Sequence, residues 1–230
     1  MEKPKKNFIN KTNLMFILSG VIFALFLFLI ILLKTIDVEI VLLTGKKIGL
    51  ASINKSLFES LGTSEIWYNI TEIIGYFSLL VVGVFAALGV IQLVKRRSLK
   101  AVDKDIIVYG LGVCLLIVFY ILFEIIVVNY RPILLDGSIE AEASFPSSHT
   151  LLVLGIMGMT AFEINDRISN NYIKWVGISG CILISLIMVI GRLLSGVHWF
   201  TDILGGVLLA SSLVLLFYSI ICKISKNNNN

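Results

Sequence analysis

Long apolar runs decide most of what this chain can become. Leu14 to Leu33 carries no charged residue, and five further mainly apolar stretches follow over about 66–94, 106–128, 150–164, 172–190 and 203–222. In hydrocarbon every backbone N–H and C=O must be paired inside the protein, so segments of this length cross a membrane only as helices. An all-α polytopic membrane protein, a bundle of six transmembrane helices, is the expected fold class. Composition agrees: 57% of residues are hydrophobic and 15% charged, with a mean hydropathy of +0.96. Soluble domains carry about a quarter charged residues. The domain organisation expected is a cytoplasmic N-terminus over 1–13, one membrane domain over 14–222 and a cytoplasmic tail over 223–230.

The first run, preceded by Lys3, Lys5, Lys6 and Lys11, is long for a signal peptide and is followed by no small-x-small cleavage site, so it reads as a retained span. The basic residues set orientation. Thirteen of the nineteen Lys and Arg fall in the N-terminus, the 95–104 and 165–174 loops and the C-terminus. The remaining six are Lys34, Lys46, Lys47, Lys55, Arg131 and Arg192. By the positive-inside rule both termini are cytoplasmic, and segments 34–65, 129–148 and 191–202 face outward. The net charge of +4 therefore reflects membrane topology rather than a nucleic-acid surface.

Segment 34–65 is too polar to span. Ile48, Leu50, Ala51, Ile53, Leu57, Phe58 and Leu61 recur at helical spacing and Gly62 follows as a stop. A short helix on the outer leaflet and a plain loop are evenly matched readings. Cys114, Cys181 and Cys222 all lie in apolar runs and read as small buried residues, not as a disulfide framework or a metal site. No CxxC or HExxH pattern occurs.

The chemistry concentrates in the outward segments. The two histidines, His149 and His198, sit there, as do Arg131 and Arg192. His198 and Asp202 are four apart, a spacing that on a helix places them on one face and lets the carboxylate fix the imidazole tautomer. The other ring nitrogen then carries a lone pair, as a histidine nucleophile requires. Arg131 and Arg192 offer planar forks that match phosphate oxygens. Pro146-Ser147-Ser148-His149 precedes a helix, where free backbone N–H groups form an anion site and His149 stands ready to protonate a leaving oxygen. Taken singly, a membrane histidine is often a hydrogen-bonded interior residue and a helix-end arginine a snorkelling anchor. Five such groups from three segments at one membrane level point to a site instead.

These segments resemble the type-2 phosphatidic acid phosphatase (lipid phosphate phosphatase) superfamily. Its blocks are Lys-x6-Arg-Pro, Pro-Ser-Gly-His and Ser-Arg-x5-His-x3-Asp. Here the first ends in Arg131-Pro132, the second is Pro146-Ser147-Ser148-His149, and the third runs from Gly191-Arg192 through His198 to Asp202, followed by Gly205-Gly206. The resemblance covers 124–202 by motif. It implies His198 as the nucleophile attacking phosphorus, Asp202 as its partner and His149 as the general acid. Arg131, Arg192, Ser147 and Ser148 become the phosphate cradle, with neither metal nor cofactor. The partners implied are a lipid phosphate substrate and membrane lipids, with no nucleic acid. Candidate substrates are isoprenyl pyrophosphate, phosphatidylglycerol phosphate and phosphatidic acid. The site is expected between the outer ends of the third, fourth and sixth spans.

Three departures stand out. Gly191 replaces the usual Ser, Ser148 the usual Gly, and Glu124 the first-block Lys. Glu124 is the candidate modifier of the site. It pairs with an arginine, recognises a substrate hydroxyl or amine, marks lost catalysis, or is only a polar helix contact. Glu72 lies at similar depth in the second span and is a candidate member of the same cluster. Rival readings of the whole are a lipid phosphotransferase and a decayed lipid-phosphate binder or transporter. The soluble vanadium haloperoxidases of the superfamily are disfavoured by the hydropathy.

Overall fold

The computed structural model describes residues 4–134 and 138–227. Seven α-helices are present among them: α1 (Pro4–Thr35), α2 (Ala51–Leu61), α3 (Glu65–Arg96), α4 (Lys104–Ile125), α5 (Ser148–Arg167), α6 (Asn171–Ser195) and α7 (Phe200–Asn227). A two-stranded antiparallel hairpin, β1 (Glu39–Ile40) and β2 (Lys47–Ile48), lies between α1 and α2. Five helices, α1, α3, α4, α6 and α7, are long and apolar enough to cross a membrane. The protein is a multi-pass membrane protein of the expected all-α class.

Helix α5, which covers the fourth expected span, is not among these five and differs from them because it is the centre of the bundle. It packs on α3, α4, α6 and α7. Leu151, Val153, Ile156, Met157 and Met159 are all buried. A helix wrapped by protein has little lipid to face, so it tolerates Thr160 and Glu163 among its buried residues. Its two ends fix its course. Ser148 begins it at the site, and Arg167 ends it in ion pairs with Asp103 and Asp105 where α4 starts. Elsewhere Phe26 of α1 stacks on Phe145, and Ser19 of α1 exchanges hydrogen bonds with Ser212 of α7. Cys181 is buried as expected, but Cys114 is exposed on the outside of α4 and Cys222 is intermediate. A thiol is apolar enough to face lipid, so the run alone could not place Cys114 inside.

The 34–65 segment resolves in favour of a helix. Gly62 ends α2 with φ 69° and its N–H bonded to the Phe58 carbonyl, a backbone turn that glycine adopts without strain. Helix α2 does not stand apart from the bundle. The Asn54 amide donates to the Thr201 hydroxyl at 2.9 Å and accepts from the Thr201 N–H at 3.2 Å. Phe58 packs on Trp199. The segment thus braces the start of α7, where the chemistry is expected.

Candidate active site

The three motif blocks converge at one end of the bundle. Helix α6 stops at Ser195 because Gly196 turns with φ 68°, and a Cβ there would meet the Gly62 carbonyl oxygen at 2.6 Å. The chain then passes through Val197 and His198 before α7 begins at Phe200. His198 and Asp202 are therefore not on one helix, contrary to the spacing argument. They meet across the loop, with Nδ1 to Oδ2 at 3.9 Å, too far for a hydrogen bond.

The reason lies in what Asp202 already holds. Its Oδ2 accepts the Trp199 N–H at 2.9 Å, half of a capping box on the first turn of α7. Its Oδ1 accepts from the Asn129 amide at 3.4 Å. Asp202 is fully buried and acts on His198 through its field, facing the Nδ1 side and leaving Nε2 directed elsewhere. Burial first, then the charges of Arg131 and Arg192, hold the His198 imidazole well below the ordinary histidine range. The ring is neutral at physiological pH, the state a nucleophile needs. NMR titration of a His149→Gln protein, which leaves His198 as its one histidine, is expected to show an uncharged ring at about pH 6. A midpoint at or above the unperturbed value of about 6.5 would contradict this.

The arginines come from opposite sides. Arg192, buried in α6, donates to Glu72 Oε1 at 2.8 Å and lies over the Tyr68 ring. The same Glu72 oxygen is 3.2 Å from His149 Nε2. Arg131 is held by Glu142, with Nε to Oε2 at 3.2 Å, and donates to the Val197 carbonyl. The expected serine cradle is modified. The Ser147 N–H is taken by the Asp202 carbonyl at 2.9 Å and its hydroxyl by Thr150, so it locks α5 to α7. The amides at the start of α5 from Ser148 onward are the ones open to an anion.

Glu72 and Glu124 do not share one cluster. Glu72 lies between Arg192 and His149. Glu124 is exposed and lines a small cleft with Tyr120, Ser144, Ser148 and His198, and no ion pair of it is found among the described residues. A second, mainly apolar cleft of about 200 Å³ runs from Glu72, Ser148 and His149 past Tyr76, Leu79 and Leu152. A third, more polar opening is bordered by Tyr68, Glu142, Ser195 and Val197.

Sequence reasoning left several contributors unassigned. Glu142, Asn129 and Asn54 hold the cradle rather than line it, and their spacing to the motifs is irregular. Glu72 did carry a signal, since a carboxylate two turns into an apolar run is costly unless paired. The Gly191 departure now has a cause. A Cβ there would lie 2.6 Å from Thr71 Cγ2 and 3.1 Å from Trp67, so glycine lets α6 approach α3 beside Glu72. Gly191→Ser, although it restores the usual block, is expected to destabilise the protein by about 1–3 kcal/mol through overpacking. Thermal unfolding in detergent checks this, and an unchanged midpoint would count against the close contact.

Comparison with known proteins places the chain. The PAP2 superfamily model matches residues 108–226, more than half of the chain. The chain belongs to the PAP2 superfamily. Sphingosine-1-phosphate phosphatase 2 of Mus musculus is 31% identical over 91 residues, 39% of this chain and 25% of the mouse protein. The human counterpart is 29% identical over 84 residues, 36% of this chain and 21% of the human protein. The chain thus spans about a quarter of the length of these curated relatives. The fold matches the crystal structure described as the first transmembrane PAP2 type phosphatidylglycerolphosphate phosphatase from Bacillus subtilis, with TM-score 0.62 and 19% identity over 90% of this chain and 96% of that one. The PAP2 match contains all three motif blocks, which lie within 124–202.

Proposed function

We propose that this PAP2 protein is a membrane phosphatase that hydrolyses a lipid phosphate or pyrophosphate at the outer face of the membrane. One observation carries the reading. Among the described residues, the buried side-chain polar atoms without a hydrogen-bond partner are Ser144 Oγ, His149 Nδ1, Arg192 Nε and Nη1, both ring nitrogens of His198, and Arg131 Nε, which meets Glu142 as an ion pair without hydrogen-bond alignment. All belong to this one site. Buried polar groups are normally paired, so such a concentration marks where a polyanionic ligand is recognised. Its donors are those that suit a phosphate.

In the first step, His198 Nε2 attacks phosphorus in line with the leaving oxygen. The P–N bond forms as the P–O bond breaks, and His149 gives the departing oxygen its proton. Arg131, Arg192 and the amides from Ser148 onward stabilise the charge on the transferring group. In the second step, water gives up a proton to His149, attacks the phosphohistidine and releases inorganic phosphate. Asp202 stabilises the positive charge that His198 acquires. Glu72 holds Arg192 and His149 in register. A lipid suits the site because the apolar cleft ends at Glu72, Ser148 and His149, so a chain can lie along the bundle with its headgroup at the histidines. With both termini cytoplasmic, the site faces outward.

The test is phosphate release by the purified protein in detergent with a chelator present. The panel comprises isoprenyl pyrophosphate, phosphatidylglycerol phosphate, phosphatidic acid and sphingosine 1-phosphate, beside a His198→Ala control. Release that survives chelation and disappears in the variant supports the reading. A folded protein that releases phosphate from none of them overturns it.

A further inference from the structure

We propose that the preferred ligand carries an ammonium group a few bonds from its phosphate, and that the Glu124 carboxylate receives it. The proposal rests on the phosphate being seated at His198 and the two arginines as described above. Three observations point to it.

First, the acidic groups around the site differ in what they hold. Asp202 caps α7 and accepts from Asn129. Glu72 is shared by Arg192 and His149. Glu142 is bound to Arg131. Each is committed to the protein. Glu124 alone among these four lines the catalytic cleft with no ion pair among the described residues. Second, the cleft it lines is the one into which His198 opens, and the buried His198 ring has no hydrogen-bond partner there. A group bonded next to the phosphate is therefore brought to Glu124 by the same seating that brings phosphorus to His198. Third, Tyr120 and Ser148 border both this cleft and the apolar one, so the places for headgroup and chain adjoin.

The electrostatics decide the sign. A carboxylate beside a phosphate site repels a ligand that brings only negative charge. It attracts one whose ammonium lies on the same side. Exposure of Glu124 weakens the effect by solvent screening, which keeps the expected discrimination modest. Discrimination by one such pair corresponds to about fivefold in affinity.

The experiment measures binding of two phosphonate analogues, which cannot be hydrolysed, to the full-length protein in nanodiscs. One is the analogue of sphinganine 1-phosphate with its 2-amine, and the other has a hydroxyl in place of that amine. The wild type is expected to bind the amine about fivefold more tightly. In Glu124→Gln the ratio falls to about one, and in Glu124→Lys it inverts, because the introduced cation favours the ligand without a positive charge. Equal affinities in the wild type, or a ratio that survives in Glu124→Gln, overturn the proposal. Phosphate release from the two parent phosphates is followed separately. A binding ratio that behaves as expected with no phosphate release from either lipid sinks the phosphatase reading and leaves this one standing.

Discussion

His198→Ala is expected to lower phosphate release by at least about 10⁴-fold, the loss typical when a covalent nucleophile is removed from a site that acts as a unit. The variant is expected to remain folded. His198 lies in the α6–α7 loop, its ring makes no hydrogen bond, and α7 is capped by Asp202 through the Trp199 backbone, not through the imidazole. Loss of activity with an unchanged thermal midpoint therefore separates chemistry from folding. Trapping the phosphoenzyme adds a direct readout, because phosphohistidine is acid-labile and phosphoserine is not. Phosphate retained on the wild type after brief substrate exposure and absent from His198→Ala assigns the intermediate. Residual turnover within about tenfold of wild type would place the nucleophile elsewhere.

The second large effect concerns Arg192. Replacement by lysine keeps a positive charge beside Glu72 but removes the planar fork, whose Nε and Nη1 face the site without partners. A fall in kcat/KM of about 10²- to 10³-fold is expected, carried mainly by kcat because the developing charge on phosphorus is what the fork meets. Arg192→Ala goes further, since it also releases Glu72 from its partner on α6 and with it His149. Partial recovery of the alanine variant by added guanidinium distinguishes a missing donor from a collapsed site. An Arg192→Lys enzyme with full kcat would remove the fork from the mechanism.

The sequence made the bundle legible because membrane crossing leaves the chain few choices. Apart from α1, which starts at Pro4 well ahead of its apolar run, each helix begins and ends within a few residues of its run, with α4 at Lys104–Ile125 and α6 at Asn171–Ser195 as examples. The convergence of Arg131, His149, Arg192 and His198 was legible for a related reason, as charge at one depth of a membrane has few neutral explanations. What spacing could not give was the local course of the chain. The spacing of four from His198 to Asp202 suggests a helix face, yet Gly196 and the Trp199 cap place a turn there. Ser147 reads as an anion donor until its N–H is found on the Asp202 carbonyl. Both errors share a cause. Backbone hydrogen bonds between distant segments leave no trace in side-chain periodicity. Glu72 and Glu124 looked equivalent by depth, and packing separated them, one against Arg192 and one beside the His198 cleft.

The apolar cleft along α3, α4 and α5 and the more polar opening bordered by Tyr68, Glu142, Ser195 and Val197 are separate, with no lining residue in common. For a phosphatase this arrangement sorts the products by phase. The dephosphorylated lipid returns to the bilayer, and inorganic phosphate leaves for the water. Reversal then requires a molecule from each phase to arrive together, so dilution on either side alone pulls turnover forward. Competition by free phosphate should depend on its aqueous concentration and be indifferent to how densely the membrane is loaded with the lipid alcohol.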